Sequence, residues 1–204
     1  MVLVFFCISG VLGAIDRHPS ITTPATEAAA TRSLDIDSRL FGKTIEPFQG
    51  AVVVIANDWP FIFGLNTLRQ GCVPFGHRIV NSVRLIGGRK EDSILKFMAS
   101  RSEPYAVVAS SDFEFSEVTA GNRVNVGLEA GFDDEAAGRL RALLEGYGEA
   151  AKRPVSTDEV MRATVDNPWV RRVQSYLAPS QAANHLSAQR RLAAMLYAPG
   201  AGST

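Results

Sequence analysis

The chain has 204 residues, enough for one generous domain or one domain with a satellite. Hydrophobic residues make up 46% and charged residues 21%, so the chain is expected to fold around a core. Lys+Arg and Asp+Glu both number 21, for a formal net charge of +0, which disfavours a strong nucleic-acid binder. The basic residues come in separate pairs, Arg89-Lys90, Lys152-Arg153, Arg171-Arg172 and Arg190-Arg191, with acids near the first two.

Residues 1–15 are apolar and open as "MVLVFFCISGVLGA". They read as a secretory signal, or as a strand or helix docked against the body. No Lys or Arg precedes the apolar run, and the run is too short for an ordinary membrane span. Membrane contact by this segment stays open, and a cytoplasmic location is favoured over secretion. The cysteines, Cys7 and Cys72, are too few for a disulfide scaffold and form no CxxC pair; free, buried thiols are expected. With His18, His77 and His185 widely scattered, a Cys/His zinc centre is disfavoured and no cofactor is expected.

Residues 16–39 read as a polar arm rich in Pro, Thr, Ser and Ala, with little to bury. "LFGKT", Leu40 to Thr44, invites a phosphate-loop reading, but Asp37 stands where the first glycine belongs. Residues 40–131 read as a mixed-sheet core. Ala51 to Ala56 is an unbroken apolar run expected to form a strand buried on both faces. A short helix is expected near Phe63 to Arg69, a strand at Ile79 to Ile86 and a helix over Glu91 to Ser100. Tyr105 to Glu129 reads as two antiparallel strands joined at "TAGN", with Arg123 facing an acid across the hairpin.

Residues 132–204 read as helical. Asp133 is positioned to cap a helix with the stripe Ala136, Leu140, Leu143, Leu144 and Tyr147. Ser156 and Glu159 have the spacing of a capping box. Asn167-Pro168 and Ser180 start two further helices, the last carrying Ala182, Leu186, Leu192, Ala193, Leu196 and Tyr197 in two apolar sectors. The expected fold is therefore α+β: a mixed sheet of four or five strands, a C-terminal helical subdomain and an extended N-terminal arm.

Candidate chemistry is sparse. Asp58 follows the Ala51 run, and Asp112 stands where the strand beginning at Tyr105 turns from apolar to alternating. Strand ends are where α/β folds place reacting groups. If the two strands are neighbours, Asp58 and Asp112 can hold magnesium, with Glu114 or Glu129 as a further ligand or base. Asn and Asp are equally ordinary turn formers. No G-x-S-x-G elbow is present. Cys72 and His77 lie close in "GCVPFGH" but lack a local acid to orient the ring. The expectation is a non-catalytic assembly subunit that contacts other protein subunits, as a homo- or hetero-oligomer, through its arm and last helix. The alternative is a magnesium-dependent phosphoester hydrolase.

Overall fold

The structure is a computed structural model that describes residues 1–8, 11, 38–56, 64–72, 74–83, 89–110, 115–127 and 131–165. It divides into two compact units, Met1–Pro154 and a second beginning at Val155.

The first unit is built on a five-stranded sheet. Its strands are β1 (Val2–Phe6), β2 (Ala51–Ile55), β3 (Ile79–Ser82), β4 (Tyr105–Ser110) and β5 (Arg123–Val126), in the order β3-β2-β1-β4-β5. All four pairings are parallel. The apolar opening of the chain is thus the central strand: every residue of β1 and of β2 is buried. Runs such as VLVFF and AVVVI, with no polar alternation, suit strands covered on both faces.

Helices supply that cover. Residues 38–45 are helical (α1), followed by α2 (Leu65–Gly71) and, after a 3-10 turn at Gly76–Arg78, by α3 (Lys90–Met98). Neighbouring residues of β1 show where they pack. Phe5 meets Phe97 of α3 edge-on, with ring centroids 5.6 Å apart. Phe6 lies against Phe41 of α1 at 4.2 Å and Phe75 at 5.4 Å. Successive strand residues point to opposite faces, so α1 and α3 cover opposite sides of the sheet. This is α/β architecture, not α+β.

The expected hairpin is corrected. β4 and β5 run parallel, with Val108 opposite Val124. Residues 115–122 lead into the amino end of β5, and "TAGN" is the end of a 3-10 helix, Glu117–Asn122, rather than a hairpin turn. An alternating edge strand looks the same in sequence whichever way its neighbour runs: Val124 and Val126 are buried while Asn125 is exposed.

Helix α4 (Asp134–Gly146) belongs to the sheet unit and packs on β4 and β5. Asp133 caps it, its Oδ1 accepting from Ala136 N–H at 2.9 Å. The far end is held by Tyr147, whose hydroxyl donates to the Tyr105 carbonyl at 2.6 Å at the amino end of β4. A short helix, α5 (Glu149–Lys152), then meets β2. Gly50 N–H donates to Ala151 O at 2.7 Å, and a Cβ on Gly50 would lie 2.2 Å from Ala150 O, so only glycine fits this approach.

Gly42, Lys43 and Thr44 lie inside α1 rather than in a phosphate loop. Gly42 backs against Pro74, with a Cβ there 2.5 Å from the proline side chain, and Thr44 Oγ1 donates to Leu40 O at 2.8 Å. The end of α1 is covered by the Arg78 guanidinium. Its Nη1 donates to Ile45 O and Phe48 O, and its Nη2 to Glu46 O. Ile45 O and Phe48 O also accept from Phe48 N–H and Ala51 N–H, so the guanidinium adds a second bond to each and ties the end of α1 to the turn before β3.

In the second unit, α6 (Thr157–Val165) starts at the expected capping box. Ser156 N–H donates to Glu159 Oε2 at 2.9 Å, and Glu159 N–H donates back to Ser156 Oγ at 3.3 Å. The helices expected beyond Asn167, including the one carrying Ala182 to Tyr197, lie outside the described residues. So do residues 16–37 of the arm; its last two residues, Ser38 and Arg39, already belong to α1.

Candidate functional site

The strand order reverses at β1: the chain moves outward on one side through β2 and β3, then crosses to β4 and β5 on the other. In open parallel sheets the crevice at such a switch point, outside the carboxyl ends of the strands, is where ligands bind. Here that edge lies at the ends of β1 and β4.

Backbone bonds continue past the strand ends. Ala56 N–H donates to Phe6 O at 3.0 Å, and Cys7 N–H to Val108 O at 3.0 Å. Val11 N–H then turns back to Ile8 O, and Val11 O accepts from Phe132 N–H at 2.8 Å. Val11 follows β1 and Phe132 follows β5, so this bond links segments on either side of β4. The fully buried Phe41 joins the same edge to α1, its ring 5.4 Å from Phe132 and 4.6 Å from Phe75. Ser110, the last residue of β4, is buried.

Cys7 sits at the end of the central strand and is fully buried, its Sγ 3.5 Å from Ala56 O. Burial pushes its thiol up from 9.0 to about 11, against a smaller opposing pull from the Lys90 ammonium at the start of α3. The folded state therefore holds the thiol neutral. Its contribution to stability is complete below pH 9 and is lost as pH rises through about 11. Chemical denaturation should show up to about 3 kcal/mol lost over that window, absent in Cys7→Ala. A flat profile shared by both proteins would show that the thiol titrates alike in both states.

A second buried titratable group is a carboxylate on α3. Glu91, in the first turn of α3, is 2% exposed. Its Oε1 accepts from Thr119 Oγ1 at 2.7 Å and its Oε2 from Ser116 N–H at 2.8 Å. Burial pushes this carboxyl up, but the bonds from Thr119 and Ser116 and the Arg123 charge outweigh it and hold it below the usual carboxylate range. Arg123 Nη1 in turn donates to Ser116 O and Thr119 Oγ1, each at 2.9 Å, and its Nε donates to Asn125 Oδ1 at 2.8 Å. With β4 and β5 parallel there is no hairpin for Arg123 to pair across; among the described residues this network holds it, and Asp112 and Glu114 lie outside them. Glu91 escaped sequence reading because an acid in a first helical turn is ordinary and nothing local signals its burial.

Asp58, Asp112, Glu114 and Glu129 lie outside the described residues. Their strands, however, are placed. Asp58 follows β2 and Asp112 follows β4, and these strands are not neighbours as supposed: β1 lies between them. Their axes are therefore separated by two strand spacings, about 9–10 Å. Cys72 is buried and His77 exposed, on a turn in which Phe75 and Gly76 N–H both donate to Cys72 O. Among the described residues, no three His, Cys, Asp or Glu side chains cluster as a metal site, and no helix is long and apolar enough to cross a membrane. No family model, curated protein or solved structure matches the chain.

Proposed function

We propose that the first unit is a small-molecule-binding α/β module that takes its ligand at the carboxyl edge of the sheet, where β1 and β4 part. The observation that supports this reading is the reversal of strand order at β1 in an all-parallel sheet with helices on both faces. Strand order points to where a ligand would lie, and the side chains at that edge decide which ligand it is. A magnesium-dependent phosphoester hydrolase is the catalytic version of the same reading. It requires Asp58 and Asp112 to reach one ion from strands on either side of β1.

Amide chemical shifts test both. Magnesium, ATP and NAD are titrated separately into the full chain. A binding ligand is expected to move the amides of Cys7, Ile8 and Ser110 while those at the amino ends of the strands, such as Leu3 and Ala51, stay still. Shifts confined to the amino ends, or the lack of any response to all three, would overturn the reading. For the hydrolase, D58N and D112N should each abolish magnesium binding with the fold intact; wild-type protein that ignores magnesium removes it.

The assembly role draws on residues 16–37 and 182–197, and so on composition alone. An arm poor in large apolar residues needs a surface to offset its ordering cost. Light scattering decides whether the full chain exceeds one copy in solution.

A further inference from the structure

We infer that the segment Phe115–Asn122, which returns the chain from β4 to β5, is a separately opening unit latched to α3 by the Glu91 carboxylate. The segment has little apolar hold of its own. Its one buried side chain among the described residues is Thr119, which is polar. Val118 is 69% exposed, and Gly121 has nothing within 4 Å of where a Cβ would be. Regions with few buried apolar contacts open locally at lower free energy than the core around them.

What fixes the segment is polar: the Tyr147 hydroxyl of α4's end lies 3.0 Å from Asn122 Oδ1 at its far end, and the bonds to Ser116 and Thr119 converge on two side chains. Glu91 takes the Ser116 amide and the Thr119 hydroxyl from one side. Arg123 takes the Ser116 carbonyl and the Thr119 oxygen from the other, with its guanidinium carbon 5.1 Å from the centre of the Phe115 ring. Bonds with an ionised donor or acceptor are the strong class, so the two to the buried Glu91 carboxylate, at 2.7 and 2.8 Å, carry a full share of the hold beside those from Arg123. β5 is anchored independently, through its ladder with β4 and the buried Val124 and Val126. Opening of the segment therefore leaves the sheet intact.

The groups facing the carboxylate give the latch a direction in pH. Arg123 faces it from β5; Lys90 and Asp92 flank it on α3, and the exposed Glu117 follows Ser116 on the segment. With its carboxyl held below the ordinary range, the latch is at full strength above that range and weakens as pH falls through the depressed value.

Hydrogen exchange at single amides tests this, with rates corrected for their intrinsic pH dependence. Glu91→Gln is expected to speed exchange of the Ser116 amide by at least about tenfold, the loss expected when a charge-assisted bond becomes neutral. The Phe5 amide in β1 should stay unchanged. Equal acceleration at Ser116 and Phe5 would make Glu91 part of the global core, and no acceleration at Ser116 would make it no latch; either overturns the inference. If the variant fails to fold, wild-type protein serves. Acidification from pH 6 should speed Ser116 before Phe5, and simultaneous or absent acceleration overturns the inference in the same way. The test involves no ligand, so its outcome is independent of the binding reading.

Discussion

Replacing Phe41 by alanine is expected to destabilise the sheet unit by about 3–5 kcal/mol in denaturant unfolding. The Phe41 ring is fully buried and meets three others, Phe6, Phe75 and Phe132. Those rings come from the central strand, the turn before β3 and the segment after β5. Truncation leaves a cavity between elements brought together from distant parts of the chain, and none can move in without disturbing the others. The sheet cannot close the gap either, because β1 is paired on both sides. Phe97→Ala on the opposite face is the control, since that ring is only half-buried against α3's side of Phe5. A cost for Phe41→Ala under about 1 kcal/mol, no more than an average substitution, would show that the four rings do not form a shared core.

The same cluster shows what sequence patterning can and cannot carry. β2 was legible because AVVVI has no polar alternation and is bounded by Gly50 and Asn57. The caps of α4 and α6 were legible because an N-cap is a local arrangement; Asp133 and the Ser156–Glu159 pair need only their own turn. α1 was missed. Its Gly42 and Thr44 are poor helix formers, and the helix is held by contacts no local window contains: Gly42 on Pro74, Phe41 among three rings, and Arg78 on its last carbonyls. The direction of β5 was missed for a related reason. Alternation reports which side of a strand is buried, and says nothing of its neighbour's direction.

Candidate site residues divide along the same line. Asp58 and Asp112 drew attention because they end apolar runs, and the placement of β2 and β4 shows what that cue lacked: strand order. An inserted central strand, β1, came from the most ambiguous stretch of the chain, since VLVFF reads equally as signal, helix or strand. Glu91 gave no cue at all, because its partners Ser116 and Thr119 are remote in sequence and become neighbours only when β4 and β5 run parallel.

Leu140→Ala should cost about 2–5 kcal/mol, and Leu143→Ala roughly a third of that or less. Sequence alone puts both on one stripe of α4, but a stripe about 100° wide has a centre and an edge. Leu140 and Leu144 are fully buried, with Ala136 one turn earlier, whereas Leu143 is half-exposed. The anchors at each end of the helix make this difference firm. Asp133 fixes its start through Ala136 N–H, and the Tyr147 hydroxyl fixes its finish on the Tyr105 carbonyl. α4 therefore cannot roll to bring Leu143 inward when Leu140 is truncated. The small residues on its inner face, Ala136 and Ala137, have little volume to offer the gap that truncation of Leu140 leaves against β4 and β5. Urea unfolding of both single variants, at equal m, is the measurement. Equal losses would mean that the helix sits rotated from this placement, with Leu143 as deep as Leu140. Losses under about 0.5 kcal/mol for both would remove α4 from the core altogether.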